Sequence, residues 1–376
     1  MIYLDSAATT LQKPPAVPRA VVRAMRECAS PGRGGYPPAE RAAELVFLCR
    51  REAAALFSAE EPERVVFTGS ATHGLNIAIK SVVAPGDRVL VSGYEHNAVL
   101  RPLRGIGGVR VDCVRTPLFN PEAVLDAFRR RIDTADAVVC THVSNVFGFI
   151  LPVAEIGALC RERGIPFVVD ASQSAGILPV SFPDIGADFI ALPGHKGLYG
   201  PQGTGILLCG DRPTRTLLEG GTGSLSARRT MPDFLPDRLE PGTHNVPGLA
   251  GLREGIRFIR SQKPGAVLRH ERQLAAELIG GLASVPDTAV YAAERPEVQT
   301  GVVSLRIQGM DGEAVGEALG RGGFCVRTGL HCAPAAHESA GTEKTGTVRI
   351  SFSLFNTVSE VRRFCAALRR IVEERR

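Results

Sequence analysis

The chain has 376 residues, a formal net charge of +5, 44% hydrophobic and 22% charged residues. That balance excludes a disordered chain, and no apolar run approaches the ~20 residues that a membrane-spanning helix needs. The charge excess is small and its densest runs, 129–131 and the final helix, read as solvated faces, so no nucleic-acid partner is expected.

In chain order, Met1 to Thr10 shows no basic-then-apolar leader, and nine cysteines occur without a CxxC pair. A reducing, cytoplasmic location is therefore expected. Ala42, Leu45, Val46, Cys49, Ala53, Leu56 and Phe57 form one helix face. Val65 to Thr68 reads as a strand, and Leu75, Ala78, Ile79, Val82 and Val83 as the face of the helix after it. Strands are expected at Arg88 to Val91, Val109 to Val114, Ala137 to Thr141, Phe167 to Asp170, Phe189 to Leu192 and Gly205 to Leu208. Helices fit between most of them, at Asn97 to Leu103, Pro121 to Ile132 and Val153 to Arg163. This βα alternation predicts a largely parallel sheet with helices on both faces, and ligands bind beyond the carboxyl ends of such strands.

The glycine- and proline-rich stretch Glu219 to Gly248 reads as a connection outside any core. Beyond it come helices at Leu249 to Ile259 and Glu271 to Leu282, then strands at Val302 to Ile307, Phe324 to Arg327 and Val348 to Ser351. A final helix starts at Thr357, with Thr357 and Glu360 as a capping box. This rhythm suits a smaller α+β unit. The expected division is an N-terminal segment, 1–15, packing at the functional site and against the small unit, then a large unit, 16–245, and a small C-terminal unit, 246–376.

Four constellations carry chemistry. Gly69-Ser70-Ala71-Thr72-His73 joins a strand to a helix, where free backbone N–H groups cradle phosphate or simply cap the helix. Asp170 ends an apolar strand and suits either a cationic ring nitrogen or another helix cap. The chain has only five lysines, and one, Lys196, lies between glycines in Pro193-Gly194-His195-Lys196-Gly197 after a strand. It suits a Schiff base with an aldehyde cofactor, or it is a turn lysine in water. Cys332, in Arg327-Thr-Gly-Leu-His331-Cys332-Ala-Pro334, suits a nucleophile, with a buried inert cysteine as the alternative. Cys325, His331, Cys332 and His337 match no standard zinc spacing, and no metal is expected.

With Tyr94-Glu-His96-Asn, Ser144-Asn145-Val-Phe-Gly148 and Asp170-Ala-Ser-Gln173 added to the lysine and cysteine motifs, the whole chain resembles class V aminotransferases of PLP fold type I. Within them it is similar to the Suf-type cysteine desulfurases and selenocysteine lyases. The resemblance implies an α/β architecture: a large αβα domain with a mostly parallel sheet and a smaller α+β domain carrying the cysteine loop. It implies pyridoxal 5'-phosphate bound covalently by Lys196, with Asp170 on the ring nitrogen and His96 stacked on the ring. Asn145 and Gln173 would meet the ring substituents, and Ala71, Thr72 and His195 the phosphate. Thr243 would reach a neighbouring subunit's phosphate, making a homodimer. Arg349, with Arg327 and Asn145, would hold the carboxylate of L-cysteine or L-selenocysteine, and Cys332 would take the sulfur for an acceptor, as in iron–sulfur cluster assembly. A true aminotransferase, a β-eliminating lyase or a non-catalytic scaffold of the same fold are the rivals. Pro193, Ser6 and Tyr36 depart from the usual serine, asparagine and histidine, which bears on phosphate contact and substrate choice.

Overall fold

The computed structural model describes residues 1–32 and 34–374. Strand β1 (Ile2–Tyr3) is followed by helices α1 (Ala16–Glu27) and α2 (Pro37–Phe57). The expected βα rhythm then appears: β2 (Val65–Thr68), α3 (Ala71–Val82), β3 (Arg88–Ser92), α4 (Asn97–Arg104), β4 (Arg110–Val114), α5 (Pro121–Arg131) and β5 (Ala137–Thr141). It continues through α6 (Val153–Glu162), β6 (Phe167–Asp170), the single turn α7 (Phe182–Ile185), β7 (Phe189–Pro193) and β8 (Gly205–Cys209). These strands form one sheet in the order β2-β8-β7-β6-β5-β3-β4, in which β8 alone runs antiparallel to its neighbours.

The central strands are apolar throughout because both faces are covered. In β5, Val138 and Cys140 join the core under α2, α5 and α6, while Ala137 and Val139 join the core under α3 and α4. The period of two thus splits one strand between two layers.

The chain goes on through α8 (Val246–Arg260), α9 (Ala266–Leu282), β9 (Thr288–Tyr291), β10 (Val302–Ile307), α10 (Gly312–Arg321), β11 (Phe324–Cys325), β12 (Arg327–Gly329), α11 (Pro334–Ala340), β13 (Thr347–Ser351) and α12 (Val358–Glu373). Strands β12-β13-β10-β9 make an antiparallel sheet. A separate core of Leu274, Leu278, Leu305, Ile350, Phe364 and Leu368 covers it, and Ile2 and Leu4 join that core from the N-terminus.

Three details differ from the sequence reading. The strand expected over 324–327 breaks at Val326: β11 pairs with β1 in parallel, whereas β12 pairs with β13. A division at 245/246 assigns α8 to the second unit, yet Leu249, Leu252 and Ile256 of α8 lie in the first core, against α2. The stretch 219–248 is not merely a connection, since Glu240 is buried in a bidentate pair with Arg50 of α2, at 2.7 and 2.8 Å.

Candidate functional site

The carboxyl ends of β5, β6 and β7 and the start of α3 enclose a cavity of about 100 Å³. Ser70, in extended conformation, caps α3 by accepting the His73 N–H at 3.2 Å. The other first-turn N–H groups, beside Ala71 and Thr72, stay available to an anion. Asp170, only 3% exposed, enters from the end of β6, and its Oδ1 accepts the Ser172 N–H at 2.9 Å.

Lys196 follows β7 on a loop packed too tightly for side chains on either side of it. A Cβ on Gly194 would lie 2.2 Å from Thr204 Oγ1, and one on Gly197 would lie 2.4 Å from the Ala175 carbonyl. Burial pushes the Lys196 amine down to about 8; Asp170 acts upward against it, while Arg349 and Arg327 add to the fall. His195 is pushed down to about 4 by burial and then by Lys196 and Lys13, so its ring is neutral near pH 7. His195 Nδ1 meets the Thr9 hydroxyl at 3.0 Å, and its carbonyl accepts Thr10 N–H and Lys13 Nζ, both at 3.1 Å.

His96 caps α4: its Nδ1 accepts the Ala98 N–H at 3.0 Å, which puts the proton of the neutral ring on Nε2. Burial lowers its pKa. Asn145 donates to the His331 carbonyl at 2.8 Å, and Gln173 to the Ala7 carbonyl at 2.9 Å. The sequence-picked residues Ala71, Thr72, His96, Asn145, Asp170, Gln173, His195 and Lys196 all line this one cavity.

Cys332 lines a neighbouring cavity of about 450 Å³ that shares Thr72 and His96 with the first. It is exposed, and Arg327 Nη2 lies 4.0 Å from its sulfur. His331 and Cys332 both have left-handed backbones, φ 49° and 57°. Asn97 N–H to the Cys332 carbonyl, 2.7 Å, and the His331 ring on Thr347, 3.0 Å, hold that conformation. The cluster considered for a metal is otherwise engaged: His331 bonds Thr347 and His337 bonds Thr342 at 2.7 Å. No group of three or more metal-ligating side chains forms among the described residues.

Other sequence-picked residues lie outside the cavity. Arg349 is 1% exposed; its Nη2 pairs with Asp5 at 2.6 Å and its Nη1 donates to the Asn145 carbonyl at 3.0 Å. Thr243 is exposed on the loop before α8. Tyr36 is exposed at the start of α2, while Pro193 lines the cavity.

The family model described as Aminotransferase class-V matches residues 2–364. The chain belongs to the class-V aminotransferase family. A probable cysteine desulfurase from Methanothermobacter thermautotrophicus is 34% identical over 96% of this chain and 92% of its own length. A cysteine desulfurase from Escherichia coli is 31% identical over 99% and 93%. The apo structure of cysteine desulfurase from Thermococcus onnurineus superposes with a TM-score of 0.88 at 31% identity, covering 99% of this chain and 95% of that one. This family is pyridoxal-phosphate dependent, and its fold type I architecture is the one described above. No described helix is long and apolar enough to cross a membrane.

Several residues of this class-V site escaped sequence reasoning. Glu95 is fully buried beside His96, and burial pushes its carboxyl up to about 8. Its Oε1 accepts the Ser92 hydroxyl and the Thr141 N–H, the latter at 2.7 Å, while Oε2 has no partner among the described residues. Its place between Tyr94 and His96 was the available signal. Asp5, Thr9, Thr10 and Lys13 come from the N-terminal segment 1–15, which was expected to pack here; their individual partners, His195 and Arg349, were not foreseen.

Proposed function

We propose that this enzyme is a pyridoxal-phosphate-dependent cysteine desulfurase, moving sulfur from L-cysteine to Cys332 and releasing L-alanine. One observation carries the reading. Lys196, Asp170 and His96 line a single cavity, and the helix that His96 caps holds the Cys332 carbonyl at 2.7 Å. The names of the relatives support the substrate.

The residues present fit the cofactor. A helix N-terminus and a neutral histidine suit a phosphate, a buried carboxylate suits a cationic ring nitrogen, and a lysine held down to about 8 suits an aldehyde. When bound, pyridoxal phosphate supplies that aldehyde for amine chemistry and a cationic ring that draws off the electron pair at the substrate's α-carbon.

Ala71, Thr72 and His195 bind the phosphate; Asp170 keeps the ring nitrogen protonated. His96 covers the ring face, and Asn145 and Gln173 orient its edge. Lys196 would hold the cofactor through its amine, and the same amine would take the proton from the substrate's α-carbon. Arg349, flanked by Arg327 and Asn145, receives the α-carboxylate. Cys332 Sγ attacks the substrate sulfur: an S–S bond forms as the C–S bond breaks, its electron pair stays on the β-carbon, and protonation of the β-carbon with return of a proton to the α-carbon gives alanine. The persulfide on Cys332, exposed at the cavity mouth, passes to a protein or small-thiol acceptor. The reading includes a homodimer in which Thr243 reaches the other site's phosphate, and a reducing cytoplasm in keeping with nine free cysteines.

The test incubates the cofactor-loaded protein with L-cysteine and with L-selenocysteine and measures alanine together with sulfide or selenide. With a reducing thiol present to release the persulfide sulfur, equal yields of alanine and sulfide are expected. Cys332→Ala keeps the visible absorbance of the bound cofactor and loses sulfide release from L-cysteine. Sulfide at the wild-type rate from that variant would remove Cys332 as acceptor. Pyruvate, or an amino acid formed from a keto acid, would replace desulfuration by elimination or transamination.

A further inference from the structure

The arginine assigned to the substrate carboxylate is already spoken for. Arg349 does not line the cavity; its side chain is 2% exposed, and among the described residues its buried Nε has no hydrogen-bond partner and Asp5 is its only ion-pair partner. A buried guanidinium left without a counter-ion is costly, so this arginine cannot wait for substrate alone.

We propose that Asp5 is an exchangeable internal counter-ion, a specificity-determining residue that holds Arg349 until the α-carboxylate of the substrate replaces it. The inference rests on the desulfurase reading for the identity of that substrate. Asp5 is suited to exchange because its side chain is the open half of the pair, 18% exposed against 2%. Released, it can be hydrated where it stands. Its backbone need not move: Leu4 N–H bonds the Cys325 carbonyl at 2.9 Å, Ser351 N–H bonds the Leu4 carbonyl at 2.8 Å, and Ala7 N–H bonds Ser351 Oγ at 2.9 Å. The exchange calls for rotation about the Asp5 side-chain bonds. The next residue, Ser6, has a buried hydroxyl with no partner among the described residues, so an unused donor lies beside the pair. Exchange also selects. A ligand without an anionic group cannot take Arg349 from Asp5 without stranding a buried charge, so an amine lacking the carboxylate gains nothing from the arginine.

The decisive experiment compares binding of L-alanine and ethylamine to the cofactor-loaded wild type, Asp5→Asn and Asp5→Ser by calorimetry, with KM and kcat for L-cysteine alongside. Both neutral variants bind L-alanine roughly tenfold more tightly, because the competing state is removed. Their KM for L-cysteine falls by more than kcat changes, and ethylamine binding is the same in all three proteins. Unchanged or weaker L-alanine binding with a raised KM would show that Asp5 only positions Arg349, and overturns the proposal. In wild-type protein carrying 13C-labelled aspartate, the Asp5 carboxyl resonance moves when L-alanine is added; a stationary resonance overturns the proposal without any variant. Failure of the desulfurase reading appears separately, as no sulfide from wild-type protein, while the alanine measurements still stand.

Discussion

The backbone N–H of Asn97 donates to the carbonyl of Cys332 across 2.7 Å. It joins the first residue of a helix on the large sheet to a loop between two elements of the second sheet region. Left-handed backbone at two successive non-glycine residues costs on the order of 1–3 kcal/mol each. One net hydrogen bond returns about 0.5–1.5 kcal/mol, so this bond cannot hold the loop alone. The His331 ring on Thr347 and the Ala333 N–H on the Leu330 carbonyl, 2.9 Å, share the task. The cysteine is therefore set by several weak ties rather than by one strong contact.

Asn97→Pro isolates that tie. Asn97 is the first residue of α4, where proline fits the helix, and His96 before it is already extended at φ −77° and ψ 156°. The N–H is lost together with the side chain, and Asn97→Ala, which keeps the N–H, is the control. Thermal unfolding should show a loss of about 1 kcal/mol, and sulfide release should fall several-fold while the bound cofactor's absorbance stays. Equal sulfide rates in variant and wild type would show that the tie does not position Cys332.

A second prediction concerns Arg50 and Glu240. Burial raises the Glu240 carboxyl, but Arg50 and His244 outweigh it and leave the group below its ordinary value. Its stabilising contribution is therefore present above the unfolded pKa of about 4.3 and is lost as the pH falls through the lower folded value. Glu240→Gln should cost about 3–5 kcal/mol near pH 7, because Arg50 is left buried without a counter-ion. Urea unfolding at pH 7 and pH 3 checks both the size and the pH trend, the gap between variant and wild type narrowing in acid.

Legibility followed locality. The βα strands and their helices were readable because each carries its own period and its own cap; Ala71, Thr72, Asp170 and Lys196 sit at strand ends or helix starts, while His96, Asn145, Gln173 and His195 were reached only through the family resemblance. Glu240 was not readable: it lies in a glycine- and proline-rich stretch, and its partner is 190 residues away. The split of the strand at Val326 was hidden for the same reason, since β11 takes its partner from residues 2–3. Arg349 was legible only in part. Its motif marked it as a substrate ligand, while its pairing with Asp5 depends on a contact 344 residues distant.

The capping box was legible and gives a clean stability test. Thr357 Oγ1 accepts the Glu360 N–H at 3.3 Å, and Glu360 Oε2 accepts the Thr357 N–H at 2.9 Å. Thr357→Ala removes one half and should lower stability by about 1 kcal/mol. Amide exchange should quicken in the first turn of α12 and stay unchanged in β5.

Lys196 offers the sharpest pH test. Burial, augmented by Arg349 and Arg327, brings its amine down to about 8 against the upward pull of Asp170. The cofactor-free protein therefore carries the ammonium below about pH 8 in both folded and unfolded states, and the folded state bears the cost of burying it. That cost is relieved as the pH rises from about 8 towards ~10.4, where an ordinary lysine titrates. Formaldehyde with cyanoborohydride, mapped by mass spectrometry, should modify Lys196 with a midpoint near pH 8. Lys13, also pushed down to about 8 by burial, is told apart by its own peptide. In Asp170→Asn the upward pull is gone, so the Lys196 midpoint should move lower still. A midpoint that stays in place or rises would mean that the lysine does not feel the aspartate, and the pairing on which the chemistry depends would be absent.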